Sequence, residues 1–178
     1  MNSSHARLNS ERYMVIDDRA AVQFERVYAH PLSRVWQAVA DPEELRAWFP
    51  SSLVFEPVVG GAVTFAGDPN VADADGIVLE YEPPRAFAFT WGDNEIRLHL
   101  ETAGDDGCRL RLTDKLAAEN EAARNAAGWD VCLHGLDRLI EHDEIGNPHG
   151  SDIDWPASYA AYVQAGMPSG APIPSSGS

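Results

Sequence analysis

Basic residues are scarce in this sequence. The 178 residues include 13 Lys and Arg against 28 Asp and Glu, which gives a formal net charge of −15 at pH 7. A surface of that sign repels phosphate backbones and anionic lipid headgroups. We therefore expect no nucleic-acid partner and no attachment to a membrane surface.

Long apolar runs and paired cysteines are scarce as well. No stretch approaches the roughly 18 apolar residues of a membrane-spanning helix. The first 18 residues lack the basic segment and apolar run of a secretory signal. Cys108 and Cys132 show no metal-binding or redox-motif spacing. These absences predict a cytoplasmic protein with two free, buried thiols and no metal or other cofactor.

Alternation of apolar and polar residues dominates the chain from about residue 20 to residue 115. It predicts a first strand over 20–29, then two short helices, the second starting at Asp41-Pro42, and then six further strands. Turn sequences such as Gly60-Gly61 separate the later strands. Because short turns join antiparallel neighbours, the pattern predicts one antiparallel sheet with one solvated face.

The periodicity changes to 3.6 residues between about 117 and 142. Trp129, Cys132, Leu133, Leu136 and Ile140 then form an apolar stripe on one long helix. No other predicted element is long enough to cover the apolar face of the sheet. The predicted fold class is α+β, with a curved antiparallel sheet wrapped around this C-terminal helix.

Several short motifs occur in an order that resembles a known family. They are Pro31 to Trp36, Asp41-Pro42 with Leu45 and Trp48-Phe49, Gly60-Gly61, Glu82 to Arg85, Phe89 to Trp91, Asp106 to Thr113, and Gly128-Trp129. Over residues 20–143 the chain resembles homologues of the activator of heat-shock protein 90 ATPase, within the START-like superfamily of polyketide cyclases and lipid-transport proteins. The resemblance implies the helix-grip fold. The superfamily includes carriers, cyclases and co-chaperones, so fold alone does not fix the function.

Three segments follow from these patterns. Residues 1–19 are predicted to be a flexible N-terminal arm, residues 20–145 the helix-grip domain, and residues 146–178 a C-terminal extension with a short helix and a disordered tail. Trp155, Tyr159 and Tyr162 are too apolar for a solvated helix. We expect this helix to dock on the domain or on a second copy in a homodimer, and residues after Gly166 to be mobile.

Small residues fill the first half of the long helix up to Gly128. Facing bulky side chains of a curved sheet, they predict a space between the layers, which is the default place for a ligand. We expect a small hydrophobic molecule there and no confident catalysis, with Trp48 near the entrance. The predicted ligand-binding residues are Trp48, Phe65, Ile77, Leu79, Phe89, Trp91, Leu98, Gly128, Trp129, Cys132 and Leu136. A cyclase- or hydrolase-type enzyme and a co-chaperone with a chaperone partner are the alternatives.

Polar side chains offer weaker candidate sites. His99 with Arg97 and Glu101 would form a catalytic row, but alternation places all three on the wet face. Asp130 and His134 could act as an acid/base pair, although such residues more often lie on a solvated helix flank. An acidic loop (Asp68, Asn70, Asp73, Asp75) lacks the spacing of a calcium loop. His142, Asp143 and His149 are a weak metal candidate.

Overall fold

The computed structural model describes residues 13–68, 73–143 and 154–173. Its strands are β1 (Tyr13–Ile16), β2 (Arg19–Tyr28), β3 (Ser52–Phe55), β4 (Ala62–Ala66), β5 (Ala74–Glu82), β6 (Ala86–Trp91), β7 (Asn94–Ala103) and β8 (Gly107–Lys115). Its α-helices are α1 (Leu32–Ala40), α2 (Pro42–Leu45), α3 (Ala122–His142) and α4 (Trp155–Gln164), and a 3₁₀ turn (Glu119–Glu121) precedes α3. No helix within these ranges is long and apolar enough to cross a bilayer.

All eight strands form one sheet in the order β1-β2-β8-β7-β6-β5-β4-β3. Neighbouring strands are antiparallel throughout. The sheet curves around α3, whose inner side chains, including Trp129, Leu133 and Leu136, are buried. The predicted α+β helix-grip fold is confirmed.

The segment predicted to be a flexible arm contributes a strand. β1 and β2 pair as a hairpin from Tyr13↔Val22 to Ile16↔Arg19. Asp17 and Asp18 form its turn with φ angles of 51° and 63°, a left-handed conformation that Asp tolerates better than most residues. Lys115 holds the turn through a 2.9 Å contact of its Nζ atom with Asp17 Oδ2. The prediction is therefore wrong for residues 13–19, while residues 1–12 lie outside the described part.

Strand β5 turns a different face inward from the one that alternation predicts. Val78 pairs with Phe89 and Glu80 pairs with Ala88, so Leu79 is an extra residue in a β-bulge. One extra residue moves every preceding side chain to the other face. Val78 is consequently buried, Leu79 is half-buried, and Ile77 is 49% exposed. The inward orientation predicted for Ile77 and Leu79 is wrong.

The C-terminal extension packs on the domain. Asp154 caps α4 by accepting from Ala157 N, and Tyr162 of this helix is fully buried. Beyond Gly166, Pro168 O accepts from Ala123 N at 2.9 Å. The first backbone N–H groups of a helix have no partner inside it, so an extended segment that supplies a carbonyl is held there. The predicted mobility is wrong for residues 167–173, and residues 174–178 lie outside the described part.

Candidate functional site

An aromatic cluster fills the space between the sheet and α3. Phe49, which follows α2, is its centre and lies 5.1–6.2 Å between ring centroids from Trp48, Phe65, Phe89, Trp91 and Trp129. Such separations are typical of favourable aromatic pairs. The structure thus brings most predicted ligand-binding residues together, and Leu98, Cys132 and Leu136 are buried in the same core. The rings occupy the middle of the space that the sequence predicts to be open.

Trp48 lies deep in this cluster. Its side chain is fully buried, and its indole Nε1 donates to Ala38 O at 2.9 Å. A hydrogen-bonded indole at the end of α1 stabilises the packing of α1 against the segment after α2. The prediction that Trp48 lies near an entrance is wrong.

Small residues of α3 are covered from two sides. Ala122, Ala123, Ala126 and Ala127 have no exposed surface. The segment after α4 covers part of them, since Ala123 N bonds Pro168 O and Ala171 N bonds Asn120 O. The C-terminal extension therefore fills room that a ligand would otherwise need at this end.

Space remains beside Gly128. A Cβ atom added to this half-buried glycine would meet no heavy atom within 4 Å. Gly135, two turns further along α3, differs because its Cβ would lie 3.5 Å from Ala47 O and from Trp48 Cβ. Trp129, the residue after Gly128, lies 6.1 Å from the half-buried ring of Trp91. The candidate ligand site is the open space at Gly128, on the helix that also carries the indole of Trp129.

Cys132 lies one turn after Gly128 and is 5% exposed. Burial and, as the smaller cause, the negative charge of Asp68 raise the pKa of the Cys132 thiol to about 12. A thiol with so high a pKa is not a nucleophile near neutral pH. Both cysteines are free and buried, as predicted.

Asp114, at the end of β8, is a buried carboxylate that sequence reasoning missed. Its Oδ2 accepts from Trp129 Nε1 at 2.9 Å and from Asn125 Nδ2 at 3.1 Å, and its Oδ1 accepts from Asn94 Nδ2 at 3.0 Å. Burial raises the pKa of Asp114 to about 6, while the three N–H donors oppose that rise. The signal was available in the alternation of Cys108, Leu110 and Leu112, which places Asp114 on the inner face.

This carboxylate fixes the position of the Trp129 indole. The bond to Asp114 restrains the indole of Trp129, the side chain next to Gly128. Because both carboxylate oxygens are engaged and the side chain is only 1% exposed, Asp114 is suited to hold Trp129 in place. It has no exposed oxygen with which to take a proton from a substrate.

The weaker polar candidates occupy the surface. His99 and Glu101 face outward on β7, as alternation predicts, and His99 Nε2 lies 3.4 Å from Glu80 Oε2. Asp130 accepts from Ser158 Oγ of α4 at 2.6 Å and so helps to dock that helix. Among the described residues no group of three or more His, Cys, Asp and Glu comes together as metal ligands would. Asn70 and His149 lie outside the described ranges.

Comparison with known proteins identifies the family. The model of the Activator of Hsp90 ATPase homolog 1-like protein family matches residues 29–141, which is more than half of the chain. The chain belongs to this family. The matched range runs from the end of β2 to the last turn of α3 and includes the whole aromatic cluster. A search among curated proteins found no match.

Three solved structures share the START-like fold of this chain. EF2215 from Enterococcus faecalis has a TM-score of 0.73 at 19% identity, over 91% of this chain and 94% of that one. CalU16 from Micromonospora echinospora has a TM-score of 0.64 at 24% identity, over 86% and 93%. DynU16, encoded in the dynemicin biosynthetic locus, has a TM-score of 0.61 at 23% identity, over 70% and 48%. Identities this low support the shared fold and no shared ligand.

Proposed function

We propose that this protein binds a small, planar hydrophobic molecule in the gap beside Gly128, against the indoles of Trp91 and Trp129. The observation that supports this most directly is the room at Gly128, next to a core in which the other space is filled by rings. Trp91 is half-buried, so one part of its ring is available for contact. A planar ligand would stack on Trp91 as Phe65 does, whose ring centroid lies 5.9 Å from that of Trp91.

The expected affinity is weak. A ligand that removes about 200 Å² of apolar surface from water gains roughly 5 kcal/mol at 25 cal/mol per Å². Part of that gain offsets the loss of translational and rotational freedom on binding. Because the bond to Asp114 already restrains Trp129, little further ordering of this side chain is required. A dissociation constant of about 0.2 mM or weaker is consistent with these terms.

Binding without reaction is favoured over catalysis. Two titratable groups near Gly128 are Cys132, whose thiol pKa is raised to about 12, and Asp114, which is hydrogen-bonded to the indole of Trp129 and buried. Neither can serve as nucleophile or general base toward a molecule beside Gly128 without leaving its present environment. A carrier or sequestering role fits these residues.

Three glycine variants test the proposal with a hydrophobic fluorescent probe such as anilinonaphthalene sulfonate. Gly128→Leu should fill the gap and abolish probe binding, while Gly128→Ala should leave most of it. Gly135→Ala is the matched control, since it also removes a glycine from α3 but adds a methyl group at ordinary contact distance from Trp48. Quenching of tryptophan fluorescence by the probe reports occupancy next to Trp91 and Trp129.

Thermal unfolding distinguishes a blocked site from a damaged fold. We expect Gly128→Leu to keep the wild-type melting temperature or to raise it, because glycine is unfavourable inside a helix and the added side chain has room. If the wild-type protein binds no probe, or if Gly128→Leu unfolds it, the gap is closed in solution and the proposal is wrong. If probe binding confirms the site, native mass spectrometry of the protein purified from its own host would identify the natural ligand.

A further inference from the structure

A second concave site lies on the outer face of the sheet, opposite the face that packs on α3. It is a groove of about 290 Å³ lined by Glu80, Arg85, Ala86, His99, Leu100, Glu101, Arg109 and Arg111. The groove exists because Ala86 and Ala88 give β6 no long outward side chains, whereas Glu80 on β5 and His99 on β7 extend on either side. It is separate from the gap beside Gly128, so its role can be tested independently.

The groove is positively charged on an acidic protein. Three arginines and two glutamates line it, so the formal charge of the lining is positive, while the whole chain carries −15. The carboxylates are already engaged. Glu101 Oε1 lies 3.1 Å from Arg109 Nη1, and Glu80 Oε2 lies 3.4 Å from both Arg97 Nη1 and His99 Nε2.

Arg85 is the exception to this pairing. Its guanidinium has no hydrogen-bond or ion-pair partner among the residues that the structure describes. Its backbone is nevertheless fixed, because Arg85 N donates to Glu82 O and Leu100 N donates to Arg85 O, both at 2.8 Å. The lining therefore presents an unneutralised cation from a rigid turn at the edge of a concave surface.

We propose that this groove binds a small oxyanion, the carboxylate or phosphate group of a small molecule, with Arg85 as its principal contact. The planar guanidinium presents paired N–H donors that match two oxygens of either group. An anion that approaches Arg85 need not break an existing ion pair. Arg109 keeps Nη2 available, since its bond to Glu101 uses Nη1.

The experiment is an amide-resolved NMR titration of the full chain with inorganic phosphate and, separately, with succinate. Sodium chloride keeps the ionic strength constant, so that general screening does not imitate binding. We expect saturable shifts of amides around residues 80–86, 99–101 and 109–111 for at least one of the two anions. The comparison of the two anions shows whether the site prefers phosphate or carboxylate oxygens.

Two arginine variants make the result specific. Arg85→Gln should weaken binding about tenfold or more, the change expected when a charge-assisted hydrogen bond is lost. Arg46→Gln is the matched control, because Arg46 is also an exposed arginine and lies outside the groove, 3.6 Å from Glu43. If neither anion shifts the groove amides, or if the two variants weaken binding equally, the proposal is wrong. Unchanged probe binding beside Gly128 in Arg85→Gln would show that the two sites are independent.

Discussion

Replacement of Asp114 by asparagine should change how stability depends on pH. The folded state raises the pKa of Asp114 from 3.8 to about 6, because burial of the charge outweighs the three N–H donors. The folded protein therefore binds this proton more tightly than the unfolded chain does. The resulting contribution to stability is complete below about pH 4 and is lost as the pH rises through about 6.

The size of the effect follows from the shift. The rise in the pKa of Asp114 from 3.8 to about 6 corresponds to about 3 kcal/mol. Relative to a variant that cannot ionise at this position, the wild-type protein is therefore about 3 kcal/mol less stable at pH 7 than at pH 4. Asp114→Asn carries a separate cost that does not depend on pH. Asn94 cannot turn its amide to meet the new amide, because its Oδ1 already accepts from Ala117 N at 2.9 Å. One donor then faces another donor, which costs about 1–3 kcal/mol.

Urea unfolding followed by tryptophan fluorescence between pH 4 and pH 8 measures both terms. The difference in unfolding free energy between the wild type and Asp114→Asn should change by about 3 kcal/mol across this range. As the pH rises, the unfolding free energy of the wild type should fall relative to that of the variant. Asp105→Asn, in the exposed turn between β7 and β8, is the control and should follow the wild-type profile. Parallel profiles for wild type and Asp114→Asn would refute the reasoning, since the N–H donors would then balance burial. An opposite slope would refute it as well, since the donors would then outweigh burial.

Three further predictions concern other parts of the fold. Tyr28→Phe should lower the free energy of unfolding measured in urea by roughly 1.5–3 kcal/mol, because the buried Tyr28 hydroxyl donates to Asp137 Oδ1 at 2.6 Å. A smaller loss would show that water replaces this hydrogen bond. Cys108 and Cys132 should react with iodoacetamide in the native state far more slowly than in urea, since burial raises both thiol pKa values. Equal rates in the two states would contradict this. Deletion of the residues after 150 should lower the melting temperature by roughly 10 °C, because the buried Tyr162 is lost, and an unchanged melting temperature would show that α4 contributes nothing.

The element order could be predicted from the sequence because alternation and helical periodicity are local properties. The wrong orientation predicted for side chains of β5 arose from a single extra residue, Leu79, which has no partner on β6. This bulge turns the side chains that precede it in the strand to the opposite face of the sheet. A bulge of this kind leaves no mark in a pattern of apolar residues. The strand β1 was missed because its hairpin depends on a turn of two aspartates, Asp17 and Asp18, rather than on glycine.

The candidate site could be predicted only in outline. Alternation and the helical stripe correctly brought Phe65, Phe89, Trp91 and Trp129 together, but neither pattern reports how much of the enclosed volume the rings fill. That volume depends on Phe49, which enters from the segment after α2 and contacts all four rings. Packing of this kind depends on distances between elements, and those follow from tertiary structure alone.

The pairing of β2 with β8 has a consequence for how the chain folds. The register from Ala21↔Lys115 to Tyr28↔Cys108 joins residues that are 80 to 94 positions apart. Contacts of such long range form slowly, because the loop between them must lose its freedom before the pairing stabilises it. On the ribosome, β2 has no partner on this side until β8 has emerged. Until then β2 exposes an unpaired strand edge, so the nascent chain is open to association with other chains while the 80 positions between Tyr28 and Cys108 are added.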